Sequence, residues 1–179
     1  MKKGFTLIEL LIVIAILAVL ATAVTLVLNP AELLKQGRDA TRLSDLAAIH
    51  SAIALYLADQ STAAFSDTSN CTASGTLPLV AGGSCSSVVT STVVTGSGWV
   101  NINFIPMSGG APLSRLPIDP VNSTTNFYVF GSNASGEYEL NANMESTRYS
   151  SGESGDVESV DGGDNADWYE IGNDPGLDL

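Results

Sequence analysis

The polarity pattern divides the chain into parts before any composition is counted. A short basic stretch, Met1-Lys2-Lys3-Gly4, leads into Phe5-Thr6-Leu7-Ile8-Glu9, and residues 10–28 then carry no charge at all. About 20 apolar residues cross the hydrocarbon core of a bilayer as a helix, so residues 5–28 predict a membrane-spanning helix. Asn29-Pro30 interrupts the run, and the missing donor and bulky ring of proline predict a kink there. Further on, Leu43, Leu46, Ala47, Ile53, Ala54 and Leu57 recur at three-and-four spacing, the mark of a resumed helix with one buried stripe. Lys35, Arg38, Asp39, Arg42, Asp45 and Asp59 are assigned to its other faces. A helix from Phe5 to Asp59 would be about 80 Å long at 1.5 Å per residue. That exceeds one membrane, so residues 29–60 are expected to pack on a domain of their own chain.

After Gln60 the apolar positions come in short pieces. Val88-Val89 to Val93-Val94, then Val100, Ile102 and Phe104 alternating with Asn101 and Asn103, then Phe127 to Phe130, then Tyr138 and Leu140 between polar neighbours read as strands. Gly96-Ser97-Gly98, Ser108-Gly109-Gly110 and Asn133-Ala134-Ser135-Gly136 supply the turns between them. The pattern predicts an α+β fold in which a long N-terminal helix packs on a small antiparallel sheet of three or four strands. The sheet and a loop between Cys71 and Cys85 occupy residues 61–152. Residues 153–179 form an acidic C-terminal loop.

Composition sharpens this picture in two places. The 179 residues carry 7 Lys+Arg against 19 Asp+Glu, a formal net charge of -12, which argues against a nucleic-acid binder. An apolar content of 45% excludes a disordered acidic chain. The acids are concentrated late, with no Lys or Arg from Glu153 to Asp178. Asp161, Asp164 and Asp167 fall in a stretch punctuated by Gly162-Gly163, where a divalent cation would turn mutual repulsion into attraction and oxygen ligands suit calcium. A solvated acidic loop is the plainer alternative. Cys71 and Cys85, the only cysteines, lie beyond the spanning helix; placed outside the cell they are expected to form a disulfide. His50 is the only histidine and lacks the companions that a metal or catalytic site needs.

At the N-terminus the competing reading is a secretory signal peptide with a small-residue cleavage site at Ala21-Thr22-Ala23, but the apolar stretch is longer than the usual signal core. Glu9 also needs an explanation, because an acid inside a spanning helix is costly. Two readings stand: it snorkels to the headgroups from near the helix end, or it meets a positive group of another chain. Cleavage after Gly4 would create such a group, the α-ammonium of Phe5, at the depth of a neighbouring subunit's Glu9.

Lys3-Gly4 followed by Phe5-Thr6-Leu7-Ile8-Glu9-Leu10-Leu11 closely resembles the class III leader and N-terminal helix of type IV pilins and of the pseudopilins of type II secretion. The stretch from Asp45 to Tyr56, the Leu116-Pro117-Ile118-Asp119-Pro120 segment and Glu137-Tyr138-Glu139-Leu140 are similar to parts of major pseudopilins. The resemblance implies that a prepilin peptidase cuts after Gly4, that Phe5 is then N-methylated, and that Glu9 serves in assembly. It also implies a homopolymeric filament built on an inner-membrane platform, with each subunit held beforehand in the lipid bilayer with its N-terminus in the cytoplasm. The filament, a pilus or a pseudopilus, would lie outside the bacterial cytoplasmic membrane. Asp161 to Asp167 resembles the calcium loop of major pseudopilins, which carries the ligand role to Asp161 and Asp167 and, in a shorter loop, to Asp164. In that family Pro30 would usually fall about one turn earlier. The leading expectation is therefore a non-enzymatic structural subunit. The alternative, a membrane-anchored calcium-binding or adhesive surface domain that never polymerises, gives Glu9 no task.

Overall fold

The computed structural model describes residues 4–60, 65–74, 85 and 87–174. Two helices come first, α1 over Leu7–Leu28 and α2 over Pro30–Asp59, followed by strands β1 (Thr68–Cys71), β2 (Ser87–Val88), β3 (Tyr128–Ser132), β4 (Tyr138–Ala142) and β5 (Tyr169–Gly172). The five strands form one sheet in the order β2-β1-β3-β4-β5. The fold is α+β with a pilin-like architecture, and its sheet is mixed: β1 and β2 run parallel while the other neighbours are antiparallel.

The kink expected at Pro30 is a full break between two helices. Asn29 adopts a left-handed conformation, φ 40°, that both ends α1 and starts α2, a conformation asparagine tolerates better than most residues. Pro30 follows at the first helical position, where its missing donor costs nothing, and the Asn29 carbonyl accepts from the amide of Glu32 at 3.0 Å.

The buried stripe of α2 runs through Asp39, Arg42, Leu46, Ile49, Ala52 and Ile53. This corrects the sequence reading in two ways. Ala47 and Ala54 are exposed, and Asp39 and Arg42, assigned from their charge to outer faces, lie fully buried on the inner one. Leu46, Ile49 and Ile53 pack against Tyr128 and Phe130 of β3 and Tyr138 and Leu140 of β4, together with Trp99, Val100, Ile102, Phe104 and Leu116. The alternation at 100–104 reflects this burial and not a strand. Its backbone bonds to the preceding loop, with the Trp99 amide on the Ser91 carbonyl and the Phe104 amide on the Val94 carbonyl, and the segment's ladder contact is a single bridge, Thr95 to Asn103.

The opposite face of the sheet has its own smaller cluster, Cys71, Phe127, Val129 and Trp168. The Phe127 and Trp168 rings meet edge to face at 5.4 Å, which holds the long segment after β4 against the sheet. Cys71 and Cys85 form the expected disulfide, with Cα atoms 5.7 Å apart.

Polar groups fasten α2 to the rest. Arg42 donates through Nε and Nη2 to both carboxylate oxygens of Asp119, at 2.6 and 3.0 Å, and through Nη1 to Asp39 at 2.6 Å. Its Nη2 also reaches Glu145 at 2.5 Å, and Glu145 is gripped from the other side by Arg38. Asp39 accepts in addition from the amides of Glu145 and Ser146. The Arg38 guanidinium, with Arg42 behind it, holds the Glu145 carboxyl down at about 2. Breaking a buried ion network from one side leaves the remaining charges without compensation and costs about 3–5 kcal/mol. Arg42→Ala is therefore expected to lower the stability of the detergent-solubilised chain by about that amount. Urea unfolding checks this, and a loss below about 1 kcal/mol would place Arg42 among ordinary surface pairs.

Candidate functional site

The N-terminal end of α1 is built around a capping box. Thr6 is the N-cap, its hydroxyl accepts from the Glu9 amide, and the Glu9 carboxylate accepts from the Thr6 amide at 2.8 Å and the Thr6 hydroxyl at 2.6 Å. Two of the amides left without helical partners at a helix start are thereby satisfied. Glu9 thus has a partner within its own chain, Thr6, and all three of these bonds run between the two residues. The sequence reading passed over this, although Thr6-Leu7-Ile8-Glu9 is the standard signature of such a box. Gly4 and Phe5 are exposed, Phe5 by 81%; Met1 to Lys3 of the leader lie outside the described residues. The helix that follows is apolar all round, with none of the Leu7–Thr25 span buried by the rest of the chain.

At the other end of the molecule, Asp161 receives the amide of Gly163 at 3.0 Å and that of Glu170 at 2.7 Å. The second bond caps an outward amide of β5, the last strand of the sheet. Glu170 is buried and accepts from the amide of Asn165 at 3.1 Å. A Cβ on Gly163 would fall 1.9 Å from the Glu170 carboxylate, so any larger residue there displaces that side chain. Burial, with the charges of Glu139, Asp161 and Asp164 added, pushes Glu170 well above the usual carboxylate range. Burial also raises Asp161. Asp164 and Asp167 are exposed. Asp167 bears on a different group, Glu158, which burial and then the charges of Asp167 and Asp39 push up to about 7.

The structure thus brings Asp161 and Asp164 to Glu170 and sets Asp167 towards Glu158. Among the described residues no three acids, cysteines or histidines converge at metal-holding distance. The donors are nevertheless of one kind, hard carboxylate oxygens, and no Lys or Arg lies between Glu153 and Asp178 to offset them. That chemistry fits a divalent cation with oxygen preference. Glu170 was the member of this group that sequence reasoning left out; its signal was the apolar neighbourhood of Trp168, Tyr169 and Ile171, which draws a strand and its acid inward.

Two other places gather polar groups. His50 sits half-buried against Tyr138, whose hydroxyl is 3.1 Å from Nδ1, and burial lowers the histidine's pKa. A groove of about 450 Å³ is lined by Leu55, Ala58, Asp59, Met107 and Pro112. Its one carboxylate, Asp59, is already bonded to the Ser108 amide at 3.1 Å and to the Ser108 hydroxyl. Neither arrangement assembles a nucleophile, a base and an orienting group.

The prokaryotic N-terminal methylation motif matches residues 1–25. This match supports a type IV pilin-like family and, with it, processing of the kind undergone by pilins and pseudopilins. Families of this motif are structural, and the exposed apolar helix is consistent with membrane anchoring. Comparison with curated proteins and with solved structures returned no match.

The raised acids fix the sign of a pH dependence. Glu158 and Glu170 hold their protons more tightly when folded than at their ordinary 4.5. The stability this contributes is complete below about 4.5 and is lost as pH rises through about 7 and beyond. With a chelator present, the melting temperature should fall from about pH 5 to about pH 8, and Glu170→Gln should flatten the fall. A profile that rises over that range would contradict the assignment.

Proposed function

We propose that the chain is a structural subunit of a type IV pilus or a type II secretion pseudopilus, cleaved after Gly4, N-methylated at Phe5 and polymerised through α1. The observation that carries this reading is Glu9: an acid at the start of an otherwise uncharged and uncovered helix, four residues after Phe5, within a matched methylation motif. Once Phe5 bears an ammonium, the Glu9 carboxylate of a neighbour can trade its bonds to Thr6 for an ion pair in which both partners are charged. That exchange sets the axial stagger between subunits. Prepilin peptidase, an inner-membrane assembly platform and further copies of the chain are the partners this reading requires.

The acidic loop takes calcium in the same reading. Asp161, Asp164 and Glu170 supply carboxylates, and Asp167 would join them by turning away from Glu158. The ion would neutralise a buried excess of negative charge and fix the segment that seals β5. The alternative, an anchored surface domain that does not polymerise, keeps the calcium and drops the role of Glu9.

Two measurements test the two parts. Mass spectrometry of the mature N-terminus should find methylated Phe5, and Glu9→Val should leave membrane insertion intact while sheared surface material loses its filaments. Normal filaments from Glu9→Val, or an N-terminus at Val24, would overturn the structural-subunit reading. For the loop, calcium near pH 8 should raise the melting temperature by the equivalent of about 2.7 kcal/mol at a hundredfold excess over Kd, and Asp161→Ala should remove the gain. An equal response to sodium at matched ionic strength would leave only an acidic surface.

A further inference from the structure

The loop after β4 does not stay near the sheet. It descends along the inner face of α2, where Asp39 takes the amides of Glu145 and Ser146 and, two turns nearer the start of the helix, Glu32 takes the amide and hydroxyl of Thr147 at 2.7 and 2.9 Å. Glu32 lies only four residues beyond Leu28, the last residue of α1. The 22 residues of α1 rise about 33 Å, close to the thickness of a hydrocarbon core. Four further residues add at most about 6 Å of helical rise, which is the depth of the headgroup layer. The residues beside Thr147 are therefore held at the level of lipid headgroups.

Those residues suit that level. Arg148 is exposed, and its guanidinium carbon stands 5.7 Å from the centroid of the Tyr149 ring. The backbone is closed behind them: the Gly155 amide bonds the Arg148 carbonyl at 3.0 Å and the Val157 amide bonds the Tyr149 carbonyl at 3.1 Å. A Cβ on Gly155 would come within 3.1 Å of Arg148 Cγ, so glycine there leaves room for the arginine stem. On the outer side of the first turn of α2, Leu33 and Leu34 are 53% and 66% exposed, with no cover from their own domain. Lys35 is beside Glu32. Exposed leucines, a tyrosine and a long cationic side chain at the end of a spanning helix are the composition of an interfacial anchor.

We propose that Arg148 and Tyr149, with Leu33 and Leu34 alongside, form a collar that docks the domain on the bilayer, Arg148 binding the phosphate of a phospholipid headgroup. Glu153 and Asp156 on the return limb of the same loop leave the patch without net positive charge. The recognition is thus a short-range contact between guanidinium and phosphate, with no reliance on an anionic surface. The collar rests on the membrane-spanning reading of α1, which flotation of the chain with vesicles tests by itself.

The decisive measurement uses the full chain in phosphatidylcholine vesicles. In a Tyr149→Trp variant, bromine on acyl carbons next to the headgroup should quench the added fluorescence by roughly half, whereas Trp99 and Trp168, 0% and 5% exposed, supply an unquenched background. Adding Arg148→Glu should reduce that quenching about twofold or more. In the unaltered chain, trypsin should cut after Arg148 several times more slowly in phosphatidylcholine vesicles than in vesicles of a phosphate-free galactolipid. Equal cleavage in the two lipids, quenching indifferent to Arg148→Glu, or protection that arises only in assembled filaments would each overturn the proposal; the last would make the surface a contact between subunits.

Discussion

The buried guanidinium of Arg42 decides where the separate parts of the domain meet. It lies on the stripe of α2 that would otherwise be apolar, and it binds Asp119 from the loop before β3 and Glu145 from the loop after β4. Replacing the whole network, Arg42 together with Asp39, Asp119 and Glu145, by well-packed apolar residues could be as stable, since desolvating ions is expensive. What apolar residues lack is direction. Arginine's planar fork donates to partners at fixed angles, and here it brings two distant loops to one turn of helix. The hydrophobic core below, from Leu46 to Ile53, then needs only to fill space.

From that point the domain divides into two faces of unequal chemistry. Tyr128, Phe130, Tyr138 and Leu140 turn to α2, so their neighbours in the strands turn to the other side. There Glu139 and Asn141 of β4 are buried, with Glu170 of β5 as the register partner of Asn141. The cover over them is the segment held by Trp168, which is itself acidic. An antiparallel sheet commonly leaves one face to water; this one covers that face with the small cluster around Phe127 and Trp168 and, beside it, with buried polar groups. Burial without a counter-charge is what raises Glu158 and Glu170.

How much of this was legible depended on the scale of the interaction. The spanning helix was plain, because a run from Leu10 to Leu28 needs no tertiary context. Strands β3 and β4 were likewise visible in the alternation around Tyr128 and Tyr138. Strands β1 and β5 were not: Thr68-Ser69-Asn70-Cys71 has no apolar alternation and owes its strand to the β3 edge beside it. The burial of Asp39 and Arg42 was hidden for a related reason. Helical periodicity is read from apolar residues, so a charged stretch of the buried stripe looks like an outer face until its partners, 77 and 103 residues away, are placed.

The same distinction governs Glu9. As a residue of one chain it is ordinary, the third position of a capping box that starts a helix at Thr6. Its carboxylate nevertheless stands at the end of a helix that its own domain leaves bare, so whatever covers that helix also meets the carboxylate. While lipid covers it, Thr6 alone suffices as a partner. In the filament reading other helices replace the lipid, and an ammonium at Phe5 of a neighbour would give the carboxylate a fully charged partner.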